Sequence, residues 1–197
     1  MAPDVDRADL EIAGLELLAR YEEPHRRYHD RRHLSEVLAA VALLAEHSRD
    51  LSSTMLAAWW HDAVYQPGAT DNEEASATLA SATLAAWGAD PDRALHVGDL
   101  IRMTRTHLPE PYDADAQVLS DADLSILSSP PTRYAAYAAD VRAEHPDLSD
   151  EQFHQGRTQV LQALLSRARI YCTPSARKRW EAGARANLQA ELERLGA

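Results

Sequence analysis

Apolar residues recur every three or four positions along almost the whole chain, and this spacing limits the fold more than any other feature. Two stripes show it: Leu34, Val37, Leu38, Val41 and Leu44, and further on Val160, Leu161, Leu164, Leu165 and Ala168. Such spacing places side chains on one face of an α-helix, whereas the alternation typical of a half-buried strand is hardly found. We therefore predict an all-α protein.

Clusters of turn-forming residues divide this pattern into about nine helices. The clusters fall at residues 22–24, 48–52, 66–71, 88–91, 108–113, 128–131, 145–149 and 172–174. A chain of 197 residues can bury one sizeable core and is short for two full domains. The prediction is a single domain over residues 1–197, folded as a helical bundle.

The net charge of -11 bears on the class of partner. Nucleic-acid polymers and anionic membranes both demand a basic face, so we expect neither as the main partner. A small anion held by a local site or by a cation is compatible with this charge.

The first residues lack the pattern of a signal peptide, the run MLAAWW is too short to span a bilayer, and the lone Cys172 excludes an internal disulfide. These features fit a cytoplasmic protein.

The segment MLAAWWHDAVY, residues 55–65, is apolar except for His61 and Asp62. It is predicted to be a helix that is buried on most sides. A buried carboxylate without a partner costs several kcal/mol, so Asp62 needs a hydrogen bond, an opposite charge or a metal ion. Two interpretations stay open at this point: Asp62 caps or bridges to a neighbouring helix while His61 is a core histidine, or both bind a metal.

A second segment, DAQVLSDADLSIL at residues 115–127, favours the metal. Leu119, Asp123 and Ile126 share one helical face, while Asp121 points almost the opposite way and is interpreted as a solvated surface charge. Asp123 is therefore predicted on a core-facing stripe. Two apolar helices would each direct acid or imidazole groups inward, and one cation at their junction would satisfy both.

The segment YHDRRH, residues 28–33, places two histidines four apart but lacks the glutamate of the H-E-x-x-H zinc motif. Asp30 is a suitable N-cap for the helix that carries the Leu34 stripe. His29 then precedes the helix and His33 lies in its first turn, where the helix N-terminus is expected to lower the pKa of His33. A helix-start histidine without a special role is the alternative for His33.

The order His33, His61-Asp62, Asp123 resembles the H…HD…D signature of the HD-domain superfamily of metal-dependent phosphohydrolases. YHDRRH is similar to the Y-H-N-x-x-H of cyclic-nucleotide phosphodiesterases, with Asp30 where that family has Asn. The segment ADLS at residues 122–125 is similar to the one that holds the last ligand, which selects Asp123 over Asp121. The whole chain, with EPHRRYH, HDAVY, DNEEASA, DADLSIL and RARIYCT, is similar to a group of predicted small bacterial HD phosphohydrolases.

This resemblance implies a set of roles. His33, His61, Asp62 and Asp123 would bind a divalent ion, and His29 would donate a proton to the leaving oxygen. The mixed set of nitrogen and oxygen ligands suits Mn, Fe, Co, Ni or Zn better than Ca, and Mg is a further candidate. We expect one or two such ions per chain. The implied reaction is hydrolysis of a phosphate ester or pyrophosphate in a small metabolite or nucleotide by a metal-activated water.

Other polar residues are weaker candidates. Glu73 or Glu74 would act as a base near the site, or simply favour the start of a helix through its dipole. Arg27 and Arg102 would bind the phosphate, or lie on the surface. His107 would bind substrate or a second metal, or be an ordinary core or surface histidine. His96 is interpreted mainly as a structural residue.

Two other functions stay open. An HD-fold di-iron oxygenase would need additional histidines, and His107 and His96 are the only plausible ones. A non-catalytic nucleotide-binding HD module would keep the fold without the reaction. The last helix, ARKRWEAGARANLQAELERL, carries charges at helical spacing and is predicted to pack within the chain or to form a homodimer.

Overall fold

The computed structural model describes residues 7–196, with side chains from residue 11 onward. Its nine α-helices are α1 (Arg7–Arg20), α2 (Arg31–Leu43), α3 (Leu51–Trp60), α4 (Asn72–Ala86), α5 (Pro91–Met103), α6 (Ala114–Asp123), α7 (Pro131–Ala143), α8 (Asp150–Ser166) and α9 (Pro174–Leu195). Two 3₁₀ helices lie at Ala45–His47 and Leu124–Ser128. No strand occurs within residues 7–196, which confirms the all-α prediction. The start of the chain, for which no signal peptide is predicted, lies outside the described residues.

Polar side chains close the first turns of most helices, which explains where the helices begin. The capping side chains that accept backbone N–H groups are Asp30, Asp50, Asp90, Asp113, Ser149 and Thr173. Proline occupies the first turn of α5, α7 and α9, where its missing N–H costs nothing. Asp71 precedes α4 and is of a residue type typical of N-caps, but its side chain makes no capping hydrogen bond.

Helices α2, α3 and α6 pack against one another in the middle of the bundle, and α5 covers α3 and α4. Small residues allow the close approach of α4 and α5. A Cβ added to Gly98 on α5 would lie only 2.7 Å from Ser81 Oγ on α4. Ala77 and Ala80 on α4 are fully buried. The mutual packing of α2, α3 and α6 matters most for function, because each of these helices ends or begins with one of the predicted ligands.

The segment at residues 55–65 is not one helix, contrary to the prediction. Helix α3 ends at Trp60, His61 is its C-cap, and Asp62 lies in the turn that follows. The buried guanidinium of Arg26 explains the early end, because it donates to the carbonyl oxygens of Asp62 at 2.8 Å and of Ala63 at 3.4 Å. A continuing helix would occupy these oxygens with its own N–H groups.

Asp121 is fully buried, so its interpretation as a solvated surface charge is wrong. Its two carboxylate oxygens accept the backbone N–H groups of Cys172 and Thr173, both at 2.7 Å. The prediction that Asp121 and Asp123 lie on different faces of α6 is confirmed, since the two side chains contact different neighbours. The segment before α9 covers the face of α6 opposite Asp123, and the spacing within α6 carries no information about that distant segment.

Helix α9 packs within the chain, one of the two arrangements predicted for it. Trp180, Ala184 and Leu188 are buried, and the helix contacts α8 and the 3₁₀ helix Leu124–Ser128. A homodimer through its other face stays a prediction. None of the helices within residues 7–196 combines the length and apolar character needed to cross a bilayer.

Candidate metal centre

Four predicted side chains meet where α2, α3 and α6 converge. His33 lies in the first turn of α2, His61 caps the C-terminus of α3, Asp62 follows it, and Asp123 is the last residue of α6. Both imidazoles are almost completely buried, with side-chain exposures of 2% and 1%, whereas Asp62 and Asp123 keep 16% and 14%. The carboxylates therefore form the side of the cluster that is open to a ligand.

The donor atoms of this cluster lie within a few ångströms of one another. His33 Nε2 is 3.0 Å from His61 Nε2. Asp62 Oδ2 lies 3.3 Å from the first nitrogen and 3.1 Å from the second. Asp123 Oδ1 lies 3.3 Å and 3.7 Å from the same two atoms. His33, His61 and Asp62 thus offer one atom each to one small volume, and Asp123 Oδ1 lies against both imidazoles.

These spacings fit a divalent metal ion. Ligand bonds of about 2.1 Å place neighbouring donors roughly 3.0 Å apart in an octahedron and roughly 3.4 Å apart in a tetrahedron. The donors His33, His61 and Asp62 all lie within 4.8 Å of one another, and Asp123 contacts both imidazoles. Two imidazole nitrogens with carboxylate oxygens form a donor set suited to first-row transition metals.

A hydrogen bond to the backbone fixes the tautomer of His61. Its Nδ1 lies 2.9 Å from the carbonyl oxygen of Ala58, which can only accept, so Nδ1 carries the proton. The neutral ring then presents the lone pair of Nε2 to the cluster. A histidine held in this way through its other nitrogen is typical of metal ligands.

The two carboxylates dominate the electrostatics of the cluster. Burial opposes protonation of His33, but hydrogen bonds to Asp123 and Asp62 outweigh it and raise its pKa to about 10. The expectation that the helix N-terminus lowers the pKa of His33 is wrong, because the helix dipole is weaker than two carboxylates in direct contact. Although burial favours neutral carboxyls, the neighbouring histidines hold the pKa of Asp62 and Asp123 below the usual range.

His29 stands beside the cluster in a separate hydrogen-bonded group. Its Nδ1 lies 2.7 Å from Glu144 Oε2, and its ring stacks on Tyr65 with centroids 4.1 Å apart. The hydroxyl of Tyr65 donates to the same Oε2 at 2.9 Å. The ring centroid of His29 is 5.7 Å from that of His33, so His29 borders the four donors without being one of them.

Glu144 holds this group together, and sequence reasoning missed it. Its side chain is fully buried at the C-terminus of α7. Oε1 accepts three successive backbone N–H groups, those of Arg27, Tyr28 and His29, at 2.8 to 2.9 Å. Despite burial, these bonds and His29 lower the pKa of Glu144 to about 2. A glutamate at a helix end has no local pattern that would point to a partner 115 residues away.

Arg27, predicted to bind phosphate, and its neighbour Arg26 lie in different surroundings. Arg27 has an exposed side chain, while Arg26 is buried. Besides the carbonyls after α3, Arg26 binds the carbonyl oxygen of His29 at 3.0 Å and Glu23 at 3.1 Å. Arg26 therefore ties the turn before α2 to the turn after α3, which fixes His29 relative to Asp62.

The structure places His107 beside Asp123, one of the four predicted ligands. Its Nε2 lies 3.5 Å from Asp123 Oδ2, while the other oxygen of that carboxylate, Oδ1, is the one near His33 and His61. Its Nδ1 lies 3.3 Å from the hydroxyl of Ser120. Burial lowers the pKa of His107, which favours the neutral ring. This geometry excludes the alternative of a surface histidine.

The remaining candidates lie elsewhere in the described part of the chain. Arg102 pairs with Glu74 at 2.7 and 2.9 Å, and with Asp99 at 3.2 Å. Glu73 lines a cavity of about 480 Å³ together with Glu74 and Arg102. No hydrogen bond or ion pair within residues 11–196 joins Glu73 or Arg102 to the four central donors.

His96 is likewise separate from the centre. Its Nε2 contacts Asp115 Oδ2 at 3.2 Å. The other oxygen of Asp115 accepts from Ser48 and from the backbone of Arg49 and Asp50, so this group fixes the turn before α3.

Comparison of the chain with protein-family models, with curated proteins and with solved structures finds no match.

Proposed function

We propose that this protein is a metal-dependent phosphohydrolase of the HD-domain superfamily. One observation carries the proposal: the buried imidazoles of His33 and His61 and the partly exposed carboxylate of Asp62 offer their donor atoms to one small volume, and the carboxylate of Asp123 lies against both imidazoles. The order of these residues is the one that resembles the superfamily signature. The proposed substrate is a phosphate ester or pyrophosphate of a small metabolite or nucleotide.

His33, His61, Asp62 and Asp123 would hold the ion. A divalent ion at this place supplies Lewis acidity, which draws charge from phosphoryl oxygens and makes hydroxide available near neutral pH. The partial exposure of both carboxylates leaves an approach for a small substrate. The chain offers this ion no thiolate ligand in the cluster, which favours Mn, Fe, Co, Ni, Zn or Mg over soft metals.

His29 would donate the proton that the leaving oxygen needs. Glu144 binds Nδ1, so Nε2 is the atom free to carry that proton toward substrate. Stacking on Tyr65 and the hydrogen bonds to Glu144 hold the ring in one orientation. The geometry resembles other histidine acids, whose second nitrogen is bound by a carboxylate.

The observations favour the hydrolase over the two alternatives. A di-iron oxygenase needs further histidine ligands; His107 lies at the centre, but His96 pairs with Asp115 instead. A non-catalytic nucleotide-binding module would have no use for an oriented acid such as His29. Arg27 and Arg102 stay proposals as phosphate-binding residues, as does Glu73 as a base, because no contact at the centre supports them.

The decisive experiment combines metal analysis with a panel of phosphate esters. Purified wild-type protein is compared with Asp62→Ala and with Asp147→Ala, a control at an exposed position. We expect bound divalent metal and phosphate release in the wild type and control, and loss of both in Asp62→Ala. Equal release by Asp62→Ala with every substrate and metal would refute the proposal, and two irons per chain after anaerobic purification would favour the oxygenase.

The role of His29 has its own test. His29→Gln should slow hydrolysis of alkyl phosphates far more than that of p-nitrophenyl phosphate, because nitrophenolate leaves without a proton. Metal content should not change, since His29 is not a ligand. His154→Gln changes an exposed histidine and serves as control. An equal defect with both leaving groups would exclude His29 as the acid.

A further inference from the structure

His107 reaches the metal centre through an unusual backbone conformation. Its φ is +50°, the one positive φ outside glycine in the described part of the chain. This region is costly for a residue with a Cβ, so surrounding contacts must hold it. The turn follows α5 directly, and the N–H of His107 still binds Met103 O at 3.0 Å. That bond fixes where the turn begins but leaves the carbonyl groups of the turn to other partners.

Arg167 supplies those partners. Its Nη1 donates to the carbonyl oxygen of His107 at 2.9 Å, and its Nη2 donates to that of Thr106 at 3.0 Å. A planar guanidinium can bind two neighbouring acceptors in one fixed geometry. The two bonds therefore restrain both peptide groups that set the conformation of His107.

The backbone of Arg167 is itself held in place by a neighbouring arginine. Its carbonyl oxygen accepts from Arg185 Nη2 at 2.8 Å, and Arg185 is held by Glu181 at 2.8 Å. Within residues 11–196, Arg167 forms no ion pair with a carboxylate, unlike Arg185. Its guanidinium is partly buried, and the hydrogen bonds it donates go to backbone oxygens, which indicates a positional role rather than a charge-pairing one.

We propose that Arg167 is a positioning residue of the metal centre, which holds the His107 turn in its left-handed conformation and keeps that imidazole against Asp123. Arg167 does not touch the proposed ligands and acts through His107. The consequence for the ion rests on the proposed function, because it assumes that Asp123 is a ligand. The effect on the position of His107 does not depend on it.

The test compares Arg167→Ala with Arg169→Ala, which removes the same charge from an exposed residue two positions away. The position of His107 is followed by its imidazole NMR signal, identified by its loss in His107→Gln. Binding is measured by titration with Co²⁺ alone. We expect Arg167→Ala to move the His107 signal and to weaken Co²⁺ binding about 10- to 100-fold, the range seen when a group that orients a metal ligand is removed. Arg169→Ala should do neither.

Arg167→Lys keeps the charge but cannot bind both carbonyls as a rigid fork, so it should also move the signal. This variant decides the question if Arg167→Ala does not fold. The proposal is overturned if the His107 signal in the folded Arg167 variants is the same as in Arg169→Ala. A wild-type protein that binds no Co²⁺ would refute the proposed metal site, while the His107 signal would still decide the role of Arg167.

Discussion

At the scale of single residues, the protonation states of its side chains decide how the candidate metal centre would bind an ion. His33 has a pKa of about 10 beside Asp62 and Asp123, so its ring carries a proton at pH 8. A metal ligand must offer a lone pair, so that proton has to leave when the ion binds. The affinity for metal should therefore rise with pH across the neutral range.

We expect each ion bound at pH 8 to release about one proton or more. The measurement is calorimetric titration with Zn²⁺ in buffers of different ionisation enthalpy. Asp62→Ala should show little binding in any buffer, which assigns the released proton to this cluster. Binding without proton release would show that His33 is neutral before the ion arrives and that the electrostatic account is wrong.

Glu144 offers a second prediction at this scale. Glu144→Gln keeps the shape of the side chain, but its amide nitrogen cannot accept from His29 and Tyr65 as Oε2 does. We expect kcat to fall by about tenfold or more while metal content stays unchanged, because the acid loses its orientation. Glu151→Gln, at an exposed position, is the control. A loss of metal in Glu144→Gln would mean that the glutamate supports the ligands instead.

The same glutamate makes a pH-dependent contribution to stability. Its pKa is about 2 in the folded protein against an ordinary 4.5. The ionised group therefore stabilises the fold above pH 4.5, by about 3 kcal/mol, and this contribution is lost as the pH falls from 4.5 towards 2. In urea unfolding, the wild type should lose more stability across this window than Glu144→Gln.

At the scale of secondary structure, helix α6 presents two aspartates with separate tasks. Asp121 binds the segment before α9, and Asp123 faces the two buried histidines. Asp121→Ala leaves two backbone N–H groups without their acceptor, so it should lower the free energy of unfolding by about 3 kcal/mol. Its metal affinity, measured on the folded fraction, should stay near that of the wild type.

Asp123→Ala is the matched variant two residues away. It should lose most of the metal affinity, because its carboxylate faces both imidazoles, but unlike Asp121→Ala it leaves no backbone N–H group without an acceptor. Urea unfolding of metal-free protein and Co²⁺ titration separate the two effects. The separate roles of the two aspartates would be refuted if Asp121→Ala were as stable as the wild type, or if Asp123→Ala bound Co²⁺ as tightly as the wild type.

At the scale of the whole molecule, the proposed ion joins α2, α3 and α6, so binding should stabilise the bundle. An ion present at 100 times its dissociation constant adds about 2.7 kcal/mol. For a chain of this size that corresponds to a Tm about 5 to 10 °C higher. We expect a chelator to reverse the shift in thermal unfolding and Asp62→Ala to show none. A Tm that does not respond to any divalent metal in the wild type would contradict the site.

The sequence by itself determined the helical class of the fold, the cap of α2 and the choice of the four proposed ligands. Helix formation depends on spacing, propensity and capping within a few residues, and Asp30 illustrates this, since it caps α2 as predicted. His33, His61, Asp62 and Asp123 could be selected because each breaks an apolar pattern or matches a motif. Their convergence needed only that the three helices pack together.

Only the tertiary structure decided the partners that lie far apart in the chain. Glu144 binds His29, Asp121 binds the segment before α9, and Arg167 binds the His107 turn, each across 51 residues or more. A buried polar group must find a partner, but its own neighbours in sequence do not say which one. Packing chooses that partner, and for this reason the residues that hold the site in place were visible only once the helices were assembled.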